Sequence, residues 1–382
     1  MHRVMTGLER VIENPPASLV GRRLGLLTNP SGVDRQLASS IDLFAHHPEL
    51  DLRALYGPEH GVRGAAQAGD HVDTATDARS GLPVMSLYGE TRTPTLEMLG
   101  EIDTMVIDLQ DIGARYATYL STVANTMEGC AAADVQVVLL DRPNPLGGEI
   151  VAGQLLDPAF ASFVGLAGLP VLHGLTIGEF AGWWSAAQGL PAPIVVPMHG
   201  WRRTMWFDET SLPWVLPSPN LPTLQSVTCY PATCLIEGTN LSEGRGTTRP
   251  FEFLGAPWID PEQISKALNA LNLPGVRFRG TWFTPWISKH RGETCGGVQL
   301  YVEDRRQWDP IRTGCSILAT IHRHYPDHFA WVESTEGGNF IDLLAGTDRL
   351  RRCIDEDLDL TDFLESGQKD AAEFAAHRQQ WL

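Results

Sequence analysis

The sequence predicts an α/β protein: a parallel sheet covered by helices on both faces, followed by a smaller α/β domain. Three observations carry that prediction. Short apolar runs alternate with helical patterns, each run closes on polar and turn residues, and a length of 382 residues exceeds the size at which one hydrophobic core stops growing. The proline-dense stretch Leu212 to Pro222 reads as an extended crossing, and the division is placed near residue 205, giving domains 1–205 and 206–382.

The elements follow in a simple order. Residues 22–28 (Arg-Arg-Leu-Gly-Leu-Leu-Thr) make a short strand that stops at the turn signal Asn29-Pro30-Ser31-Gly32. Leu37, Ile41, Leu43 and Phe44 then fall close to one helical face. A buried strand over Leu52 to Tyr56 enters a long Gly-rich loop through Gly57, Gly61, Gly64 and Gly69 to His71, Asp73 and Asp77. Loops of that length in compact domains are usually functional or mobile. Pro83 to Tyr88 is the next strand, ending at Gly89-Glu90; Thr95 to Leu99 is a short helix, and Thr104 to Leu109 a central buried strand. A helix from about Tyr119 to Ala133 leads into a strand at Val135 to Leu140, which closes on Asp141-Arg142-Pro143-Asn144. Thr176 caps a helix through Gln188, and Pro191 to Pro197 is a Pro-punctuated strand. The second part holds a capped helix from Asp260 to Leu271, strands at Val276 to Phe283 and Gly297 to Val302, and a helix at Pro310 to His324. Two helical stretches, near Phe340 to Asp355 and Thr361 to Trp381, close the chain.

Composition narrows the class. Hydrophobic residues at 43% with 20% charged residues describe a folded chain with ample core. A net charge of −17 argues against nucleic acid or an anionic membrane surface as the main partner. No apolar run reaches membrane-spanning length, and Met1 to Pro16 lacks a signal-peptide core, so the expected compartment is the cytoplasm, or outside it if a leader has been removed. The six cysteines have no CxxC spacing and read as mostly buried thiols. His322, His324 and His328 lie on a helix end and loop, where a solvated surface outweighs a metal site. No cofactor is expected, because neither GxGxxG nor GxxxxGK[ST] is present.

In a parallel sheet the carboxyl ends of the strands share one edge, where ligands bind. That edge receives Asn29, Glu59, His60, Asp108, Asp111, Asp141, Arg142 and Asn144. Gly57-Pro58 must break its strand just before Glu59 and His60, which makes an acid/base site or simply a charged loop tip. The polar stretch from Leu235 to Arg249 carries Glu237, Glu243, Arg245 and Arg249 with Gly244 and Gly246, a pattern suited to an anion or to a flexible surface loop.

Five motifs carry a resemblance: Gly57-Pro-Glu-His-Gly, Asp108-Leu-Gln-Asp-Ile-Gly, Asp141-Arg-Pro-Asn-Pro-Leu-Gly-Gly, Ser218-Pro-Asn-Leu-Pro-Thr, and Glu237-Gly-Thr-Asn-Leu-Ser-Glu-Gly-Arg-Gly-Thr-Thr-Arg-Pro. Over nearly its full length the chain resembles the exo-β-N-acetylmuramidase family long grouped as DUF1343. The resemblance implies a Rossmann-like first domain without a nucleotide role and a smaller α/β domain forming a cleft with it. It implies release of terminal, non-reducing N-acetylmuramic acid from peptidoglycan fragments. A non-catalytic cell-wall sugar binder and a nucleotide- or NAD-dependent enzyme are the alternatives.

Glycoside hydrolysis uses a carboxylic acid and a second carboxylate, unless the substrate's acetamido group attacks instead. Glu59 is assigned as the acid and Asp111 as its partner, with Asp108 beside it and Glu243 and Asp141 behind. His60 would orient Glu59 or bind hydroxyls, although neighbours in an extended loop point to opposite sides. Arg245, then Arg115, would meet the lactyl carboxylate. Asn144, Asn240 and Thr247 would add polar contacts to the sugar, while Tyr116, Trp206 and Trp286 either stack on sugar faces or belong to the core.

Overall fold

The computed structural model describes residues 3–64, 75–89, 91–335 and 337–382. Gly69, His71 and Asp73 of the Gly-rich loop, and Glu90, lie outside the described residues. Seven strands form the first sheet: β1 (Arg23–Thr28), β2 (Asp51–Gly57), β3 (Ala75–Thr76), β4 (Pro83–Ser86), β5 (Thr104–Asp108), β6 (Gln136–Leu140) and β7 (Ile194–Val196). Their order is β3-β4-β2-β1-β5-β6-β7, and all neighbours are parallel except β3 with β4. Apart from the short β3 this is the doubly wound Rossmann arrangement. The chain builds outward from β1 to one side, then crosses to β5 and builds to the other, leaving a switch point between those two strands.

The strands are apolar because helices cover both faces. β5 is buried at every position, and Leu24 and Leu26 face one core while Leu27 and Met105 face the other. The covering helices are α1 (Gly7–Glu13), α2 (Ser40–Ala45), α3 (Leu96–Leu99), α4 (Thr118–Ala132) and α5 (Ile177–Gln188). Sequence reading passed over α1, although Thr6 and Glu9 form a capping box at its start. α2 is shorter than its apolar pattern, since Leu37 sits at φ 65° in the preceding turn.

The second part is a three-stranded antiparallel sheet, β8 (Phe253–Ala256), β9 (Val276–Phe283) and β10 (Cys295–Val302), in the order β8-β10-β9. Helices α6 (Leu224–Thr233), α7 (Pro261–Ala270) and α8 (Pro310–His324) pack with it, followed by α9 (Phe340–Ala345), α10 (Arg349–Asp355) and α11 (Thr361–His377). Strand β8 and helix α6 were not anticipated. Pro231 inside α6 disguises that helix. The single stretch expected over Phe340 to Asp355 is two helices, because Gly346 at φ 74° ends α9. The last helix returns to the first sheet, where Phe374 meets Trp183 edge-on at 5.8 Å.

All six cysteines are free, and burial pushes the Cys130 and Cys315 thiols up to about 12. His322 packs edge-on against Phe329, His324 faces the Thr320 carbonyl, and His328 stacks on Trp258. No helix among the described residues is long and apolar enough to cross a membrane.

Candidate active site

The GPEHG segment forms a tight turn at the end of β2. The Gly61 amide donates to the Pro58 carbonyl at 2.9 Å, and His60 takes φ 73°, a conformation that L side chains rarely adopt. This turn changes the sequence-based expectation for Glu59 and His60. Side chains alternate only along extended backbone; here both residues line one cavity of about 630 Å³ between the two parts. The Thr118 hydroxyl, at the start of α4, donates to Glu59 Oε2 at 2.9 Å. Burial first, and the charge of Glu59 next, push the Tyr88 phenol up to about 12, so it stays a neutral donor beside that carboxylate. His60 Nε2 lies 3.1 Å from Ser218 Oγ, joining the turn to the Ser-Pro-Asn motif.

The opposite wall comes from the second part. Arg245 donates to Glu237 Oε1 at 2.9 Å, lies 3.1 Å from Glu243 Oε1, and sits over the Phe251 ring at 5.1 Å. Burial works against its charge, but Glu237 and Glu243 prevail and hold its pKa above the ordinary value. Lys289 completes the network 3.1 Å from Glu243 Oε2. Tyr116, Tyr230 and Phe251 form an edge-to-face aromatic series along the cavity, with centroids 6.2 and 4.7 Å apart. Arg92 lines the other side, 4.4 Å above the Phe163 ring.

The structure thus brings Glu59, His60, Tyr116 and Arg245 together. The other assigned residues stand outside the lining. Asp108 is wholly buried in a two-pronged pair with Arg142, at 2.6 and 2.9 Å. Asp111 accepts from the Gly113 amide at 2.7 Å and lies 3.4 Å from His173 Nε2. Asn144 packs against Gly113, holding the Leu146 amide and the Leu175 carbonyl. Arg115 is fully buried, donating to the carbonyls of Gln154, Leu169 and Leu344 at 2.9, 2.7 and 2.9 Å, and burial pulls it down to about 10. Asn240 ties its loop to His328 and Ala330, Thr247 closes a turn onto Gly244, and Glu243 is the buried counter-ion of Arg245 and Lys289. Trp206 lies away from the cavity under Arg305, and Trp286 is exposed.

Sequence reasoning missed Tyr88, Thr118 and the cavity position of Glu237. Tyr88 was discoverable: β4 stops at Ser86, so Tyr88 occupies the same strand-end edge as Glu59. Thr118 carried no comparable signal. Among the described residues, no group of three or more His, Cys, Asp and Glu is arranged to hold a metal ion.

Asp141 has another duty. Its carboxyl accepts from the Gly178 amide, the Thr176 hydroxyl and the Arg142 amide, so it caps α5, and burial pushes it up to about 7 although those donors pull downward. An unfolded Asp titrates near ~3.9. The folded value is the higher one, so this carboxyl contributes most stability below about pH 4, a contribution lost as pH rises to about 7. In paired thermal melts, the advantage of wild type over Asp141→Asn should therefore shrink from pH 4.5 to pH 7.5. An unchanged gap would place the titration of Asp141 elsewhere.

A doubly wound sheet without a phosphate loop, joined to a small antiparallel sheet across a carboxylate-bearing, tyrosine-lined cavity, is a framework that suits acid/base chemistry on a small polar substrate. Comparison with known proteins makes the class specific. Models of the family described as exo-beta-N-acetylmuramidase NamZ match residues 24–225 with the N-terminal part and residues 228–382 with the C-terminal part, and the chain belongs to this glycoside hydrolase family. It is 47% identical over 381 residues to the peptidoglycan beta-N-acetylmuramidase NamZ of Bacillus subtilis (strain 168), covering 100% of this chain and 91% of that protein. Two crystal structures of DUF1343 family proteins from Bacteroides fragilis NCTC 9343 share the fold. The first has TM-score 0.91 and 37% identity, over 100% of this chain and 99% of the other. The second has TM-score 0.75 and 25% identity, over 99% and 98%.

Proposed function

We propose that this chain is an exo-acting glycoside hydrolase that removes terminal, non-reducing N-acetylmuramic acid from peptidoglycan fragments. The observation that carries the reading is the shared cavity, which Glu59 on its fixed turn and the Glu237–Arg245 pair line together with Tyr116 and Tyr230. A cavity of about 630 Å³ is of the size that holds small ligands, and aromatic residues in its lining suit the apolar face of a sugar.

Glu59 is the proton donor to the leaving oxygen, oriented by Thr118 and Tyr88. Glu237 is the second carboxylate lining the cavity among the described residues, and takes the role for which the sequence suggested Asp111. Asp111, bonded to the Gly113 amide, supports the loop behind the wall. Arg245 directs positive charge toward the lactyl carboxylate, and its two carboxylate partners fix the guanidinium in place.

Mass spectrometry of defined muramyl-glucosamine disaccharides incubated with the protein alone tests the reading. Free N-acetylmuramic acid plus N-acetylglucosamine is the expected result. Intact disaccharide, or hydrolysis only when NAD is added, would overturn it.

A further inference from the structure

The hairpin loop between β9 and β10 carries an exposed indole next to two residues that line the cavity. Trp286 is 78% exposed, while the next residues in the chain, Ile287 and Ser288, line the cavity. A single exposed aromatic ordinarily needs no explanation. This one stands on a loop that the protein fixes firmly from one side. The Trp286 amide donates to the Gly246 carbonyl at 3.0 Å, and Lys289 Nζ donates to the carbonyls of Ile236, Glu237 and Leu241 at 3.1, 3.3 and 2.9 Å. His290 Nε2 lies 2.7 Å from the Asn240 carbonyl. Gly246, at φ 76°, lets the two loops meet, since a Cβ there would come within 2.5 Å of the Ile287 amide nitrogen.

An exposed indole on a tethered loop, next to residues that line the cavity, is a platform with no side-chain partner among the described residues. We propose that Trp286 forms a subsite for the leaving portion of the glycan, stacking on the apolar face of an N-acetylated hexose beyond the scissile bond. The inference rests on the glycosidase reading. With the terminal sugar in the cavity, the rest of the chain must leave across the rim, and the rim residues next to Trp286 already belong to the lining. An indole suits that occupant because the C–H face of a pyranose ring is apolar while its hydroxyls stay in water.

The test compares kcat/KM on a muramyl tetrasaccharide with kcat/KM on an aryl muramide, for wild type, Trp286→Ala and Trp286→Phe. Trp286→Ala should lower the tetrasaccharide-to-aryl ratio by about 3- to 10-fold, and Trp286→Phe should restore most of it. A ratio unchanged in folded Trp286→Ala, as judged by circular dichroism, would overturn the subsite. So would an unchanged ratio accompanied by a smaller particle in size-exclusion chromatography, which would make the indole a contact between copies. If wild type hydrolyses neither substrate, the glycosidase reading itself falls and takes the subsite with it.

Discussion

Glu59→Gln is expected to lower kcat for release of N-acetylmuramic acid by about 10²- to 10⁴-fold, with KM and the melting temperature little changed. The amide oxygen can still accept from Thr118, and the Pro58–Gly61 turn does not depend on the carboxyl. What is lost is the ability to deliver a proton as the glycosidic bond breaks. Binding of the disaccharide by the variant, measured by calorimetry, should remain. Activity within about tenfold of wild type would remove Glu59 from the acid role.

The second large effect is on stability. Asp108→Ala should destabilise the protein by about 3–5 kcal/mol, read from the shift in urea midpoint, because it strands the Arg142 guanidinium inside the switch point of the sheet. Asp108 is fully buried, and Arg142 spends both prongs on it, with Nη2 also donating to the Val33 carbonyl at 3.1 Å. The double variant Asp108→Leu/Arg142→Met should recover much of the loss, since it removes both charges from the low-dielectric interior. A single-variant cost under about 1 kcal/mol would mean that water reaches the pair.

These two residues show what was legible in the sequence. Strand, helix and turn signals located β1, β2, β5 and β6 closely, because parallel strands buried on both faces read as continuous apolar runs. The strand-end rule then delivered Glu59, Asp108, Asp111, Asp141 and Asn144 to one edge. It could not tell which of them the second part would cover with a cavity and which the fold would consume. Asp108 closes the switch point, Asp141 caps α5 and Asn144 fills the space over Gly113. Such duties depend on donors distant in sequence: Arg142 lies 34 residues from Asp108, and Gly178 lies 37 residues from Asp141. For Glu237 the difficulty was different. Its motif was visible, but the 3₁₀ turn over Cys234–Gly238 that carries it to the wall has no distinctive pattern.

The fully buried Arg115 has a consequence for modularity. Its guanidinium joins the carbonyls of Gln154 and Leu169 to that of Leu344 in α9, while Phe374 of α11 fills a place against Trp183. Although family resemblance divides the chain into two blocks, neither block is portable. Lifting out the first would take one of its three carbonyl partners from the buried Arg115 cation and open an aromatic core to water, and lifting out the second would leave its last helix with nothing to lie on. Moving either block into another protein would require rebuilding this seam.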